Sequence, residues 1–273
     1  MHLEHALRRH APSAQVSRGA LGREDLEAKG MEAARNRLIY VAGFILAIGF
    51  AFAILLKQVS ITESGDIQLA FLAALFRLAA VFIAASFVIV SQVREANDKV
   101  MEWLLTRDLS RAQYLFGKMF GYLGVALALA ILFTAPLCFF AAPSRAAMWG
   151  LSLLFELSIV TALSLFCVLT FNQVVGSLAA VVAFYALSRS MAALQLIGAS
   201  RASDGNLLFD RVANTALEGI AFFLPRLDLF TQTGWLLGRS AFDINMSSLV
   251  LQSAIYIALL SLAALFDLKR KNF

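Results

Sequence analysis

The chain has 273 residues, 60% of them hydrophobic and only 15% charged, with a formal charge of +5. Soluble domains carry about 25% charged residues, and here the remaining charges gather in short stretches between long apolar runs. With a mean hydropathy of +0.76, this pattern argues against a soluble domain and for a chain that crosses a bilayer several times, because ~20 consecutive apolar residues span the hydrocarbon core. The basic balance is explained by a positive-inside bias and does not call for a nucleic-acid partner.

Residues 1–37 read as a cytoplasmic tail and interfacial segment. His2, His5 and His10 all lie there, and the reading is an unstructured tail rather than a metal site. The first apolar run starts at Leu38 with no small-residue cleavage site after it, so it is expected to remain as a helix and not be removed as a signal peptide. Six spans follow in a 38–267 membrane domain: Leu38–Leu56, Leu69–Val90, Met119–Ala142, Met148–Phe171, Val174–Ile197 and Leu249–Phe266. Residues 268–273 form a basic cytoplasmic tail. The expected fold is therefore an all-α membrane protein with six transmembrane helices. Cys138 and Cys167 sit inside apolar runs and read as buried thiols.

The orientation follows from the lysines and arginines. Seven lie in the N-terminal tail, five between spans two and three and three after span six, against six on the other side, four of these in the long 198–248 loop. Long loops weigh little in this rule, so both termini are expected in the cytoplasm.

Two connections are long. In the cytoplasmic one, from Ser91, the residues Val93, Ala96, Val100, Met101, Leu104 and Leu105 recur at helical spacing with charges on the other faces, which predicts an amphipathic helix of about three turns. Ser110-Arg111-Ala112-Gln113 fits a capping box that starts a new helix into span three. Such a helix is either an interfacial connector or a docking element whose Trp103 and mixed charges suit a groove on a cytosolic partner.

In the outer loop, Asn206 to Phe223 has near-helical apolar spacing, Pro225 ends that stretch, and Phe222, Phe223, Phe230 and Trp235 suit an interfacial position. This predicts short helices before span six. Three ionisable residues fall inside spans at similar depth: Arg77, Glu156 and Arg189. Charges there are costly, so they are expected to pair, as a structural ion pair or as part of a transport path. Pro136 in span three predicts a kink.

The run Glu95…Leu104-Leu105…Leu109-Ser110-Arg111…Tyr114…Gly117-Lys118 resembles the segment after the second span in type-2 ABC exporter permeases. Phe223-Leu224-Pro225-Arg226-Leu227-Asp228-Leu229-Phe230 resembles the outer-loop signature of the same family. The resemblance implies that the cytoplasmic loop is a coupling helix, with Glu95, Asp98, Lys99, Glu102, Trp103 and Arg107 docking a separate ATP-binding subunit. It implies short helices capping the path, with Phe223, Pro225 and Phe230 as outer gate candidates. It also implies a second permease copy or paralogue facing the first, and a multi-pass location in the bacterial inner membrane among its lipids.

The chain itself contains no G-x-x-x-x-G-K-[ST], H-E-x-x-H or G-x-S-x-G pattern. No catalytic residue, metal or cofactor is therefore assigned to it. ATP and Mg are expected on the partner subunit, which makes this chain a permease and not an enzyme. The alternative is a self-sufficient secondary transporter or channel using Arg77, Glu156 and Arg189 as its ion pathway, which inverted repeats and broken helices would support.

The topology has a direct test. Reporter fusions after Thr62, Arg145 and Pro225 should score as external, and fusions after Val100 and Phe273 as internal. A sidedness that alternates differently would sink the six-span order.

Overall fold

The structure is a computed structural model that describes residues 40–49, 51, 54, 64–97, 111–201, 219, 224–238 and 246–270. The chain divides into two units, Met1–Ile45 and Leu46–Phe273, and the bundle of helices from Ser64 onward lies wholly in the second. Helix α1 is short and apolar, Tyr40–Gly49; of the rest of the expected first span only residues 51 and 54 are described. Then come α2 (Ser64–Asn97), α3 (Arg111–Thr134), α4 (Pro143–Phe171), α5 (Val174–Arg201), the short α6 (Thr233–Leu237) and α7 (Met246–Arg270). Five of these, α2, α3 with its continuation to Phe139, α4, α5 and α7, are long and apolar enough to cross a membrane. No strand occurs among the described residues.

Helix α4 is the hub. It packs against α2, α3, α5 and α7, and 78% of its apolar window is buried, against 22–50% for the other four. A helix apolar on all faces belongs inside a bundle. Its polar residues are small and self-satisfied: Ser158 donates to the Leu154 carbonyl at 2.7 Å, Thr161 to Ser158 at 2.9 Å and Ser164 to Val160 at 2.7 Å. Small residues let helices approach closely where lipid offers no hydrophobic drive for association.

The helices outrun their hydropathy cores. The second span, expected over 69–90, is Ser64–Asn97, and the last, expected over 249–266, is Met246–Arg270. Hydropathy registers the hydrocarbon layer, whereas the hydrogen-bond ladder continues through the headgroup region. Val93 and Ala96, expected to open a separate surface helix, therefore continue α2. Asp98, Lys99, Glu102, Trp103 and Arg107 lie outside the described residues.

At Pro136 the expected kink takes the form of a change of helix type. α3 ends at Thr134 and a 3-10 turn, Ala135–Phe139, follows with the proline in its first turn. Proline removes an N–H and clashes with the preceding turn of an α-helix. The tighter winding turns Leu137 fully inward and leaves Cys138 exposed, so only Cys167 is a buried thiol. Between α4 and α5 the connection is two residues long. Asn172 takes the left-handed conformation, φ 53°, and its N–H closes on the Val168 carbonyl, as asparagine tolerates at a helix end.

The α2, α3, α4, α5 and α7 termini at Asn97, Arg111, Phe171, Val174 and Arg270 share one end of the bundle. Arg111 donates to the Leu268 and Lys269 carbonyls at 2.9 and 3.0 Å, and Thr170 donates to Asp267 at 2.9 Å. Arg94, Lys118, Lys269 and Arg270 lie at the same end, called the basic end below.

Gly150 is where α4 meets the end of α3: a Cβ there would come within 2.5 Å of the Thr134 hydroxyl oxygen. Gly150→Ala should lower stability by about 1–3 kcal/mol through overpacking, and adding Thr134→Ala should return much of it. Unfolding in detergent reads both, and additive losses would show that the two residues do not touch.

Candidate functional site

At 1.5 Å per residue, Arg77, Glu156 and Arg189 each lie ~18–20 Å from the end of their own helix opposite the basic end. Two i, i+4 pairs present matching faces: Ser152 and Glu156 on α4, Tyr185 and Arg189 on α5. Glu156 is fully buried. Its carboxylate accepts from the Tyr185 hydroxyl at 2.8 Å and the Thr231 hydroxyl at 2.6 Å, and Arg189 Nη1 stands 3.7 Å from it.

What meets these helices is backbone. Arg189 donates to the carbonyls of Leu227 and Phe230, the latter at 2.8 Å, and Arg77 Nη1 lies 3.4 Å from the Thr231 carbonyl. Thr231 N–H donates to Ser152 Oγ at 3.0 Å. Thus every polar group of Thr231 is engaged, its backbone by α2 and α4 and its hydroxyl by Glu156. Its φ is 44°, a strained value for a β-branched residue. The surrounding segment is tucked in: Leu224, Pro225, Leu227, Phe230, Trp235 and Leu236 are buried. Of the outer gate candidates, Pro225 and Phe230 are thus inside the bundle, while Phe223 lies outside the described residues.

Arg77, Glu156 and Arg189 are therefore brought together around residues 227–231. Thr231, Tyr185 and Ser152 were not anticipated. The i, i+4 spacing of Ser152 with Glu156, and of Tyr185 with Arg189, was the available signal; Thr231 carried none beyond following the Phe223–Phe230 signature.

A second cluster occupies the basic end. Lys118 on α3 is paired with Glu95 on α2. Tyr114 O–H lies 3.4 Å from the Glu95 carboxylate and accepts from Gln92 at 3.0 Å, and Tyr122 donates to Gln92 at 3.2 Å. Lys118 stands 6.0 Å from both tyrosine ring centroids, within cation–π range. Glu95, expected as a docking residue, thus faces its own α3. Together with Arg111 on the end of α7, this clasp fixes both helices that flank the 98–110 segment.

Glu156→Gln should cost on the order of 3 kcal/mol, because it leaves buried guanidinium charge uncompensated. The cycle with Arg189→Gln should be non-additive, and the cycle with Arg77→Gln less so, since Arg77 reaches the cluster through a carbonyl. Two additive cycles would mean that the charges act separately.

No curated protein matches the chain. The profile of the ABC-2 family transporter proteins matches residues 51–199, a stretch that holds the clasp and all three intramembrane charges and spans more than half of the sequence. On that match, and with five helices built to cross a bilayer, the chain belongs to the ABC-2 family of transporter proteins, as a multi-pass membrane permease.

Proposed function

We propose that this chain is the membrane subunit of an ABC exporter, lines the substrate path together with a second copy or paralogue, and is driven by a separate ATP-hydrolysing subunit that binds ATP and Mg. The observation that carries this reading is the clasp at the basic end of a family member whose sequence has no phosphate-binding loop. Force from an ATPase has to enter through a cytosolic contact. The 98–110 segment leaves α2 and returns through α3, and both flanks are tied by Glu95, Lys118, Tyr114 and Gln92. Arg111 extends the tie to the last carbonyls of α7. A displacement of the segment would then move three membrane helices as one body.

The positive-inside count puts this end in the cytoplasm, and the family suggests the bacterial inner membrane. The alternative, a secondary transporter with an ion pathway, draws less support, because Arg77 and Arg189 are occupied in holding a backbone segment. That segment, 224–237, is the candidate outer gate: it closes the bundle opposite the ATPase end and is anchored by few, identifiable bonds.

The test is co-purification of the tagged chain with a candidate phosphate-loop ATPase from the same organism, followed by ATPase assays in nanodiscs. Glu102→Lys and Trp103→Ala should weaken association about tenfold, about 1.4 kcal/mol. Glu95→Lys or Lys118→Glu alone should lower coupled hydrolysis, and the double swap should recover part of it. Normal association and hydrolysis in all variants would reduce the loop to a connector.

A further inference from the structure

Beside the 224–237 segment, at the end of the bundle opposite the clasp, lies a cavity of about 270 Å³. Gln68 on α2 and Arg145 on α4 bring polar side chains to it, Ala142 carries the start of α4 to its wall, and Leu69, Leu236 and Leu237 make its apolar side. We propose that this cavity binds the phosphate of an anionic phospholipid, with the Arg145 guanidinium and the Gln68 amide as donors.

Three observations converge on this assignment. Gln68 is buried to 7% exposure, yet its amide makes no hydrogen bond among the described residues. A buried amide without a partner is costly, and this one belongs to the cavity wall. Arg145 likewise makes no hydrogen bond or ion pair among the described residues. Its guanidinium lies against Gly238, where a Cβ would come within 2.6 Å of Nη1 and φ is +68°; the missing side chain is what admits the charge to that position. Asp66, the other charged residue of the lining, has an interaction of its own, so the charge left for a ligand to meet is the positive one. Finally, Ala142 gives α4 no side-chain cap, and the positive end of the dipole of this 29-residue helix stands at the same wall.

An arginine fork binds phosphate with two parallel N–H···O bonds, and the Gln68 amide adds a further N–H donor. The surroundings favour a lipid as the source of the phosphate. The volume falls below the about 300–1,000 Å³ of sites that enclose whole drug-sized ligands, which suits a headgroup whose chains run outside. Ile67 and Phe139, 49% and 86% exposed next to lining residues in the chain, offer apolar surface for those chains. The ammonium of a zwitterionic headgroup would add positive charge beside Arg145, whereas the glycerol hydroxyls of phosphatidylglycerol can donate to Gln68 Oε1. Because Leu236 and Leu237 form one wall, an occupied site would also brace the 224–237 segment against α2 and α4. This inference needs the membrane embedding alone and is independent of the ATPase reading.

The experiment is native mass spectrometry of the chain released from nanodiscs that contain phosphatidylglycerol, phosphatidylethanolamine and phosphatidylcholine in equal amounts, with and without excess inorganic phosphate. One phosphatidylglycerol should be retained about tenfold over either zwitterionic lipid. Arg145→Gln should abolish that preference. Gln68→Leu, which keeps the bulk and removes the amide, should lower it about threefold. Arg145→Lys should retain it in part, which separates loss of the phosphate contact from loss of the fold, and helicity by circular dichroism should be unchanged throughout. Arg94→Gln, which removes an exposed arginine at the basic end, should leave the preference intact. Equal retention of the three lipids, a preference indifferent to Arg145→Gln, or one that falls with Arg94→Gln instead would overturn the proposal and leave Arg145 as an interfacial arginine. Displacement of the retained lipid by inorganic phosphate would overturn it in favour of a soluble-anion site.

Discussion

The constraint on which the rest of this structure depends is the one that the bilayer places on irregular backbone. A helix satisfies its own N–H and C=O groups. A turn at membrane depth does not, and each unmet group costs several kcal/mol. The 227–231 segment is such a turn, inserted among α2, α4 and α5. Its carbonyls at Leu227, Phe230 and Thr231 are met by Arg189 and Arg77, and its Thr231 N–H by Ser152. Two arginines within a membrane bundle are themselves expensive. Glu156 offsets their charge, and Tyr185 and Thr231 satisfy its two oxygens. Each expensive group is thus stabilised by the next, and the cluster stands or falls as a unit.

This arrangement also decides the shape of the bundle. Glu156 sits on the helix that every other long helix touches, and the small hydroxyl residues below it on α4 keep that helix slim. At the basic end the logic is different. There the helices end near water, and long side chains reach across: Lys118 to Glu95, Arg111 to α7, Thr170 to Asp267. The two ends are therefore held by different means, a buried charge network at one and a quarter-exposed clasp at the other, with side-chain exposures of 26% and 25% for Lys118 and Glu95.

Much of this was legible in the sequence. Long apolar runs read as spans because hydrophobicity over ~20 residues is a property of composition, independent of what the helix packs against. Equal depth of Arg77, Glu156 and Arg189 also followed from counting, as did the break at Pro136, whose ring acts locally. The residue pattern of the cytoplasmic loop and the outer signature carried the family resemblance that the profile match over 51–199 agrees with.

What composition and spacing could not decide is which partner each polar group meets. Glu95 was expected to face a cytosolic partner because a helical wheel sorts residues only into faces; only the packing of α2 on α3 turns that face toward Lys118. Arg77 and Arg189 were expected to seek a carboxylate, yet both reach mainly carbonyls, because the donors that an inserted turn demands are invisible until the turn is placed. Cys138 read as buried by its neighbours, and the 3-10 turn set by Pro136 rotated it outward. The sequence by itself determined that this protein builds long apolar helices and where its costly charges lie along them, since those are local properties of the chain. Only the tertiary structure decided that the charges converge on Thr231 and its neighbours, because that requires a loop some 40 residues after Arg189 to fold back among helices that precede it.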